Sequence, residues 1–246
     1  MLALATITPG KPEIFAALQG EGASIGRPSV FLRLSRCNLA CQWCDTAYTW
    51  RFEGDNRPHK DGIAFDRRDN QVVWDEETVA KAIHAFGQRR LVITGGEPLL
   101  QAPALVRMID HLSTLGDYHV EIETNGSVVP TEALAARVHQ YNVSPKLAHS
   151  GNPRELAIRP EALQFFSQYP KAFFKFVVAQ PEDIEEVAAL AAEHDLPSDR
   201  IFLMPEGRDP ATLRARMVWL ADECLLRGYT MTDRLHIHLS GDTRGT

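Results

Sequence analysis

The sequence predicts an α/β fold, a partial (β/α) barrel made by a single domain. Apolar strand-like runs alternate with helical segments along most of the chain, a pattern that favours a parallel sheet with right-handed crossovers. No G-x-G-x-x-G turn follows any predicted strand, so we prefer the barrel over a dinucleotide-binding sheet. A length of 246 residues suits one domain, which we place at residues 1–246.

The predicted elements follow one another regularly. The N-terminal part supplies an extended segment at residues 13–18. Further strands are predicted at residues 29–35, 90–94, 118–123, 141–143, 172–178, 200–204 and 234–239. Helices are predicted at residues 75–87, 103–115, 131–138, 160–168, 181–194 and 210–227. Residues 51–72 are polar and lack periodicity, so we predict that they form an inserted excursion beside the site and not a separate domain.

Composition excludes several classes of protein. A hydrophobic content of 44% and a charged content of 24% are ordinary for a soluble globular protein. No stretch reaches the roughly 18 apolar residues of a membrane helix, and the first ten residues lack the basic region of a signal peptide. We therefore expect a cytoplasmic protein without a membrane partner. The net charge of −6 argues against a nucleic-acid partner and favours a small-molecule substrate.

Three of the four cysteines, Cys37, Cys41 and Cys44, form a C-x3-C-x2-C loop directly after the predicted strand at 29–35. Thiolates select zinc, copper(I) or iron–sulfur centres. A closed zinc site would need a fourth ligand nearby, but the next His is His59 and the next Cys is Cys224. The loop therefore predicts three ligands and one open coordination position. A disulfide is disfavoured because the chain is otherwise poor in thiols.

Some residues occur where their type is unusual, and these are further candidates for the site. Arg33 lies in an apolar strand, where a charge is costly unless it is paired, so we expect it to contact a carboxylate. The alternative is an Arg that reaches solvent from the strand end. Residues 19–22 (QGEG) predict a tight turn where backbone can approach a ligand. Within this turn, Glu21 either binds substrate or caps the turn.

The predicted strand ends carry four unusual turns. Barrel enzymes place their chemistry at the C-terminal ends of the strands. The turns in question are TGGEP at 94–98, ETNG at 123–126, SPK at 144–146 and MPEG at 204–207. We therefore expect these four segments to meet around one site.

The cysteine spacing, with Trp43 before the last Cys, resembles that of the radical S-adenosylmethionine (SAM) enzymes. In those enzymes three Cys hold a [4Fe–4S] cluster, and its fourth iron binds SAM. With LQGEG at 18–22, Arg33, CDT at 44–46, the strand-end turns and GDTRG at 241–245, the chain resembles the 7-carboxy-7-deazaguanine synthase family over nearly its whole length. The resemblance implies a partial barrel of the radical SAM type.

The same resemblance implies an activity in queuosine-precursor synthesis. The enzyme would convert 6-carboxy-5,6,7,8-tetrahydropterin to 7-carboxy-7-deazaguanine with loss of ammonia, after a 5′-deoxyadenosyl radical removes hydrogen from C6. The implied cofactors are a [4Fe–4S] cluster, SAM and Mg²⁺. A flavodoxin-type reductant and a homodimer are expectations from the family alone.

Individual roles are implied as well. Cys37, Cys41 and Cys44 would be the catalytic cluster ligands, and Thr46 would bind Mg²⁺ through its hydroxyl. Arg33 would hold the substrate carboxylate as a bidentate fork. The other implied substrate contacts are Leu18, Gln19, Gly20, Glu21, Thr94 and Thr246. The implied SAM contacts are Trp43, Cys44, Asp45, Gly96, Ser144, Pro145, Lys146, Met204, Pro205, Glu206 and Gly207.

Two other functions stay open at this level. A glycyl-radical enzyme activase shares the cysteine loop but acts on a protein glycine, whereas Glu21, Arg33 and Thr46 favour a small carboxylated substrate. A non-catalytic iron–sulfur or zinc module would leave the strand-end turns unexplained.

Four further residues carry weaker expectations. His236 and His238 alternate along the predicted last strand and would face one side, where we favour packing over substrate contact. Cys224 is expected to be a small buried residue. Whether Arg244 contacts the substrate is left open.

Overall fold

The computed structural model describes all 246 residues and contains one eleven-stranded sheet that stays open at both ends. The strands are β1 Leu2–Thr8, β2 Lys11–Pro12, β3 Ile14–Leu18, β4 Pro28–Leu34, β5 Gln71–Trp74, β6 Arg90–Gly95, β7 His119–Thr124, β8 Gln140–Val143, β9 Ala172–Val178, β10 Ile201–Pro205 and β11 Thr230–Met231. The helices are α1 Arg67–Asn70, α2 Glu76–His84, α3 Ala102–Ser113, α4 Glu132–Ala135, α5 Arg154–Ala157, α6 Pro160–Gln168, α7 Glu182–Glu193, α8 Pro210–Arg227 and α9 Leu235–Ser240.

The centre of the sheet is the predicted parallel unit. Strands β4, β6, β7, β8, β9 and β10 lie side by side in that order, and each neighbouring pair is parallel. The two-residue β11 extends this unit at one edge. At the other edge β1, β2, β3 and β5 pair antiparallel. The α/β partial barrel is therefore confirmed, since the helices between the parallel strands cover one face and the sheet does not close.

The main core lies between the sheet and its helices. Alternate residues of the parallel strands point outward into a cluster of 44 buried apolar residues, which the helices complete. On β9, for example, Phe174 and Phe176 are both fully buried in this cluster. A strand places successive side chains on opposite faces, so the residues between them face the other way. Those residues form the inner face, where the site is found.

Local sequence explains where the longest helix begins and ends. The Asp209 carboxylate accepts a hydrogen bond from the Thr212 amide at 2.9 Å, and Pro210 occupies the first turn of α8. Gly228 ends the helix at φ 69°, a left-handed conformation that glycine adopts without strain. The structure therefore confirms the predicted helix at 210–227.

Four strands, β1, β2, β5 and β11, have no predicted counterpart. Strands β1 and β5 pair with each other, with Leu2 opposite Trp74 and Ala5 opposite Gln71. Strands β2, β5 and β11 are only two to four residues long, and β1 pairs mainly with β4 and β5, which lie far away in the sequence, so local patterns do not identify these strands. Residues 51–65 form an irregular excursion that a bridge between Phe52 and Phe65 closes. The single-domain assignment with an insertion at 51–72 stays a prediction, and residues 71–72 are part of β5.

The predicted strand at 234–239 is wrong, because Leu235–Ser240 is helix α9. Its alternating sequence imitates a strand, but the edge of the sheet beside β10 is already occupied by β11. On a helix, residues two apart point about 200° away from each other. His236 and His238 therefore face different sides. None of the helices has the length and apolar character needed to cross a bilayer.

Candidate active site

One cavity at the C-terminal ends of the parallel strands gathers most of the predicted residues. Its lining includes Leu18, Gln19, Gly20, Glu21, Arg33, Cys37, Cys41, Trp43, Cys44, Asp45, Thr46, Thr94, Gly96, Ser144, Lys146, Met204, Glu206 and Thr246. Three residues of the predicted set do not line it, namely Pro145, Pro205 and Gly207. The four strand-end turns thus meet around one space.

The Gly-Gly turn after β6 packs closely against the start of the cysteine loop. The Gly96 amide donates to the Leu34 carbonyl at 3.1 Å, and the Glu97 amide donates to the Arg36 carbonyl at 2.9 Å. A Cβ atom at Gly96 would lie 2.0 Å from the Arg36 carbonyl oxygen, so no larger residue fits. Glycine is therefore needed at position 96 because two backbone segments approach each other closely there.

The three thiols of the loop are held in protein and are not disulfide-bonded. Burial, assisted by Glu97, raises the pKa of Cys37 to about 12. Burial likewise raises the pKa of Cys41 to about 11. Such thiols become thiolates when a metal centre replaces the proton.

Side-chain N–H groups face the three sulfur atoms, which suits the sulfur ligands of an iron–sulfur cluster. The donors are Trp50 at 3.4 Å from Cys44, Asn152 at 3.3 Å from Cys41 and Asn125 at 3.9 Å from Cys37. No group of His, Cys, Asp or Glu side chains in the structure could hold a single metal ion. The case for a cluster rests on the loop and its donors.

Arg33 is paired with a carboxylate, as the sequence predicts, and the partner is Glu13. Its Nε donates to Glu13 at 2.8 Å, while Glu13 also accepts from the Tyr48 hydroxyl at 2.9 Å. Burial disfavours the guanidinium, but the Glu13 carboxylate more than offsets this and raises the pKa of Arg33. No protein group accepts from Nη1 or Nη2, and Arg33 lines the cavity. The end of the guanidinium fork is therefore available to a ligand.

Glu21 makes ion pairs and does not cap its turn. The short helix that follows it has no side-chain cap, and the carboxylate instead contacts Lys175 and, at 3.0 Å, Arg234. Burial opposes ionisation, yet Lys175, Arg234 and His236 together hold the pKa of this carboxyl far below its usual range. Glu21 is thus an anion fixed between two buried cations.

Arg234 joins three segments of the site. Besides Glu21 it contacts the Asp45 carboxylate beside the last cysteine, and it donates to the Gly207 carbonyl at 2.5 Å. The residue is only 7% exposed. The LQGEG turn, the cysteine loop and the MPEG turn are therefore tied to one guanidinium.

The Gln19 side chain belongs to a polar layer beneath the cavity. Its Nε2 donates to Glu121 at 2.9 Å and to Glu123 at 3.1 Å. Glu121 also accepts from Arg90 at 2.8 Å and from Asn142 at 2.5 Å. Since the amide of Gln19 is used inside the protein, its backbone is the part that can contact a ligand.

Other predicted residues are placed as follows. The Thr46 hydroxyl lies 3.6 Å from the Cys44 sulfur, and Lys146 donates to Ser144 at 2.8 Å. The Lys146 ammonium also lies 5.6 Å from the centre of the Trp43 ring. Cys224 is buried in the core.

The two histidines of α9 and Arg244 have different surroundings. His236 lines the cavity and lies 3.9 Å from Glu21, whereas His238 contacts Asp233 at 3.0 Å. Arg244 lies 3.5 Å over the Tyr48 ring and donates to Asn70 at 2.9 Å. Of these three, only His236 lines this cavity.

Sequence reasoning misses four residues of this site. Lys175 stands in the apolar run AFFKFVV, which is the same signal that identifies Arg33. Arg234 is the first residue of the segment predicted as a strand, and its role follows only from the position of α9. Trp50 and Asn152 have no local signal, because their contacts with the cysteines depend on the loops that carry them.

Comparisons with known proteins agree with this geometry. Residues 32–215 match the Radical SAM superfamily, so the chain is a radical SAM protein, a class whose cofactors are SAM and an iron–sulfur cluster. The 7-carboxy-7-deazaguanine synthase of Pyrobaculum aerophilum is 38% identical over 234 residues, covering 95% of each chain. That of Halobacterium salinarum is 35% identical, covering 95% of this chain and 91% of its own. The protein belongs to the 7-carboxy-7-deazaguanine synthase family.

A solved structure agrees with the family. The crystal structure of QueE from Escherichia coli superposes with a TM-score of 0.65 at 27% identity and covers 95% of both chains. The partial barrel of the radical SAM type is therefore the fold of this protein.

Proposed function

We propose that this radical SAM lyase converts 6-carboxy-5,6,7,8-tetrahydropterin to 7-carboxy-7-deazaguanine with loss of ammonia. The observation that carries the proposal is the Arg33 guanidinium, fixed by Glu13 and open at its far end, in the same cavity as the three cysteines. A guanidinium fork suits a substrate carboxylate. Family membership supports the same reaction, whereas no feature of the cavity favours the activase or the non-catalytic module.

The chain supplies position and charge. Arg33 holds the substrate carboxylate, while the backbone of residues 18–20 and the Thr94 hydroxyl contact the pterin edge. Trp43, Lys146 and Ser144 line the part of the cavity assigned to SAM. Cys37, Cys41 and Cys44 would hold the [4Fe–4S] cluster, which together with bound SAM would supply the radical chemistry needed to remove hydrogen from C6.

The proposal also includes a bound magnesium ion. The Thr46 residue lies next to Cys44 and lines the same cavity as Arg33. A neutral hydroxyl is a weak ligand, and Mg²⁺ usually keeps oxygen ligands from water and substrate. The ion would therefore bind together with the carboxylated substrate.

The expected cellular setting is also part of the proposal. A flavodoxin-type protein would deliver the electron, the enzyme would act as a homodimer, and it would work in the cytoplasm. These statements rest on the family resemblance.

The direct test is an anaerobic assay of the reconstituted enzyme. We expect 7-carboxy-7-deazaguanine and ammonia to form from the carboxylated tetrahydropterin, SAM and dithionite, with mass spectrometry as the readout. Leaving out Mg²⁺ should slow product formation without changing the iron content. Cleavage of SAM with no deazaguanine product from this substrate would refute the proposed reaction.

The role of Arg33 predicts the effect of Arg33→Lys. Lysine keeps the charge but cannot form two parallel hydrogen bonds, so substrate binding should weaken by about ten- to one-hundredfold. Calorimetric titration with the substrate and, separately, with SAM measures the two affinities. SAM binding should be retained, and the exposed Arg27→Lys is the matched control. An equal loss of both affinities would show that Arg33 is a structural residue.

A further inference from the structure

Each cysteine sulfur of the loop faces one side-chain N–H group, and the three donors come from separate parts of the chain. Trp50 follows the cysteine loop itself, Asn125 follows β7, and Asn152 lies in the loop after β8. The two closest contacts are Asn152 Nδ2 to Cys41 Sγ at 3.3 Å and Trp50 Nε1 to Cys44 Sγ at 3.4 Å. Nothing in the proposed reaction assigns a role to these two donors.

The orientation of the Asn152 amide is fixed by its other end. The Ala40 backbone N–H, which can only donate, points at Asn152 Oδ1 at 2.9 Å. The oxygen therefore faces Ala40, and the NH₂ group must face the Cys41 sulfur. The segment is held by a further bond, because the Gln42 amide donates to the Ser150 carbonyl at 2.9 Å. The contact with the sulfur is thus built into the loop.

The Trp50 indole is equally constrained. Its side chain is 5% exposed, the Arg57 guanidinium lies 4.8 Å from the ring centre, and the His59 ring packs against it edge-on. His59 Nε2 also lies 2.8 Å from the Cys44 carbonyl oxygen. An indole N–H can only donate, so Trp50 is a hydrogen-bond donor to the Cys44 sulfur.

We propose that Asn152 and Trp50 are positioning residues that raise the reduction potential of the cluster through N–H···S hydrogen bonds to Cys41 and Cys44. A hydrogen bond to a ligand sulfur stabilises negative charge, and the cluster is more negative after it accepts one electron. The reduced form therefore gains more from the donors than the oxidised form does. This inference rests on the proposed function, because it requires that the three cysteines hold a cluster.

Two variants remove the donors with little change of shape. Trp50→Phe keeps an aromatic ring between Arg57 and His59 but has no N–H group. Asn152→Asp keeps an oxygen for the Ala40 amide and replaces the donor by a carboxylate oxygen. Trp219→Phe, on α8 and outside the cavity, is the matched control. Each reconstituted protein is titrated with dithionite, without SAM or substrate, and the reduced cluster is followed by electron paramagnetic resonance.

We expect both variants to bind the wild-type amount of iron and sulfide and to have lower midpoint potentials. A tenfold change in the ratio of reduced to oxidised cluster corresponds to about 59 mV for one electron. Trp50→Phe should shift the ratio by up to about tenfold, and Asn152→Asp by more, because it also adds a negative charge. Trp219→Phe should leave the potential unchanged.

The result that overturns the inference is a wild-type potential in both variants at full iron content. A variant that binds no cluster would show that its donor is needed for assembly, and the other variant, on a different loop, would then decide. Failure of the proposed function looks different, because the wild-type protein itself would then bind no cluster or form no product.

Discussion

The two faces of the parallel sheet differ in what holds them together. On the outer face, residues such as Ile122 on β7, Tyr141 on β8 and Phe174 on β9 are buried against helices in one apolar cluster. On the inner face, their immediate neighbours Glu121 and Lys175 are buried just as deeply but are polar or charged. The outer face is stabilised by removal of apolar surface from water, whereas on the inner face matched charges and hydrogen bonds offset the cost of burying polar groups.

This difference shows which part of the protein tolerates change. An apolar core accepts side chains of similar volume, but a buried charge that loses its partner is strongly destabilising. The inner face therefore depends on residues far away in the chain, such as Arg234 for Glu21. Three substitutions compare the faces, in order of decreasing expected effect on stability.

The largest effect is expected on the outer face, from Phe174→Ala. The side chain is fully buried, and its truncation leaves a cavity that should lower the free energy of unfolding by about 3–5 kcal/mol. Urea denaturation followed by circular dichroism measures this. Phe173→Ala, one residue away on the opposite face and only partly buried, is the control and should cost clearly less. Equal costs would mean that the two faces do not differ in packing.

The second substitution, Glu21→Gln, tests the inner face. It leaves Lys175 and Arg234 without their shared anion and should lower the free energy of unfolding by about 2 kcal/mol at neutral pH. Glu77→Gln, which breaks an exposed pair with Lys81, should change stability little. Chemical denaturation at several pH values is the measurement.

The pH dependence of this effect has a definite sign. Burial alone would raise the pKa of Glu21. Lys175 and Arg234 outweigh this effect and hold the pKa far below its usual range in the folded protein. A carboxyl with a depressed folded-state pKa contributes stability above its unfolded pKa of about 4.3, and that stability is lost as the pH falls towards the folded value. The difference between wild type and Glu21→Gln should therefore be constant from neutral pH to about pH 5 and shrink below about pH 4. A difference that grew in acid would contradict the assignment of an ionised Glu21.

The smallest effect is expected from Gly20→Ala, which affects the inner face without changing a charge. The new Cβ atom would lie 2.3 Å from the His236 ring, so this ring must move. Since the ring is the end of a flexible side chain, the cost in unfolding free energy should be about 1 kcal/mol. The rate of product formation should fall clearly even though the loss of stability is small, because His236 lines the cavity.

A double substitution separates the two causes. If the collision with His236 is the reason, Gly20→Ala should cost almost nothing in a His236→Ala background. Full additivity of the two changes would mean that the turn itself resists the substitution.

The same contrast explains what the sequence could predict. Apolar residues of the outer face recur at every second position, and this pattern predicts strands such as β9. The helices that cover them are predicted from their own sequence signals. Motifs such as the cysteine loop and the Gly-Gly turn identify the site, since each has a narrow chemical use. Lys175 could have been found by the reasoning applied to Arg33. Trp50 and Asn152 could not, because only the folded loops bring them to the sulfurs.

The helix α9 shows the limit of pattern reading most clearly. Its alternating histidines fit a strand, yet β11 and not this segment pairs with β10 at the edge of the sheet. Arg234 and His236 reach the cavity because Leu235 donates its amide to the Gly20 carbonyl at 2.9 Å. That contact joins two ends of the chain and has no signature in either segment.

The ion pair between Glu21 and Arg234 also limits how early in synthesis the contacts of the site can form. It joins residues 213 positions apart, so it can form only after the chain has been synthesised as far as Arg234. Ribosomes release the N-terminal part first, and Glu21 and Asp45 emerge long before the guanidinium that will lie between them. A nascent chain that stops short of Arg234 contains the cysteine loop but lacks the guanidinium that contacts Asp45. The contacts that tie the LQGEG turn, the cysteine loop and the MPEG turn together through Arg234 can therefore form only after residue 234 has been synthesised.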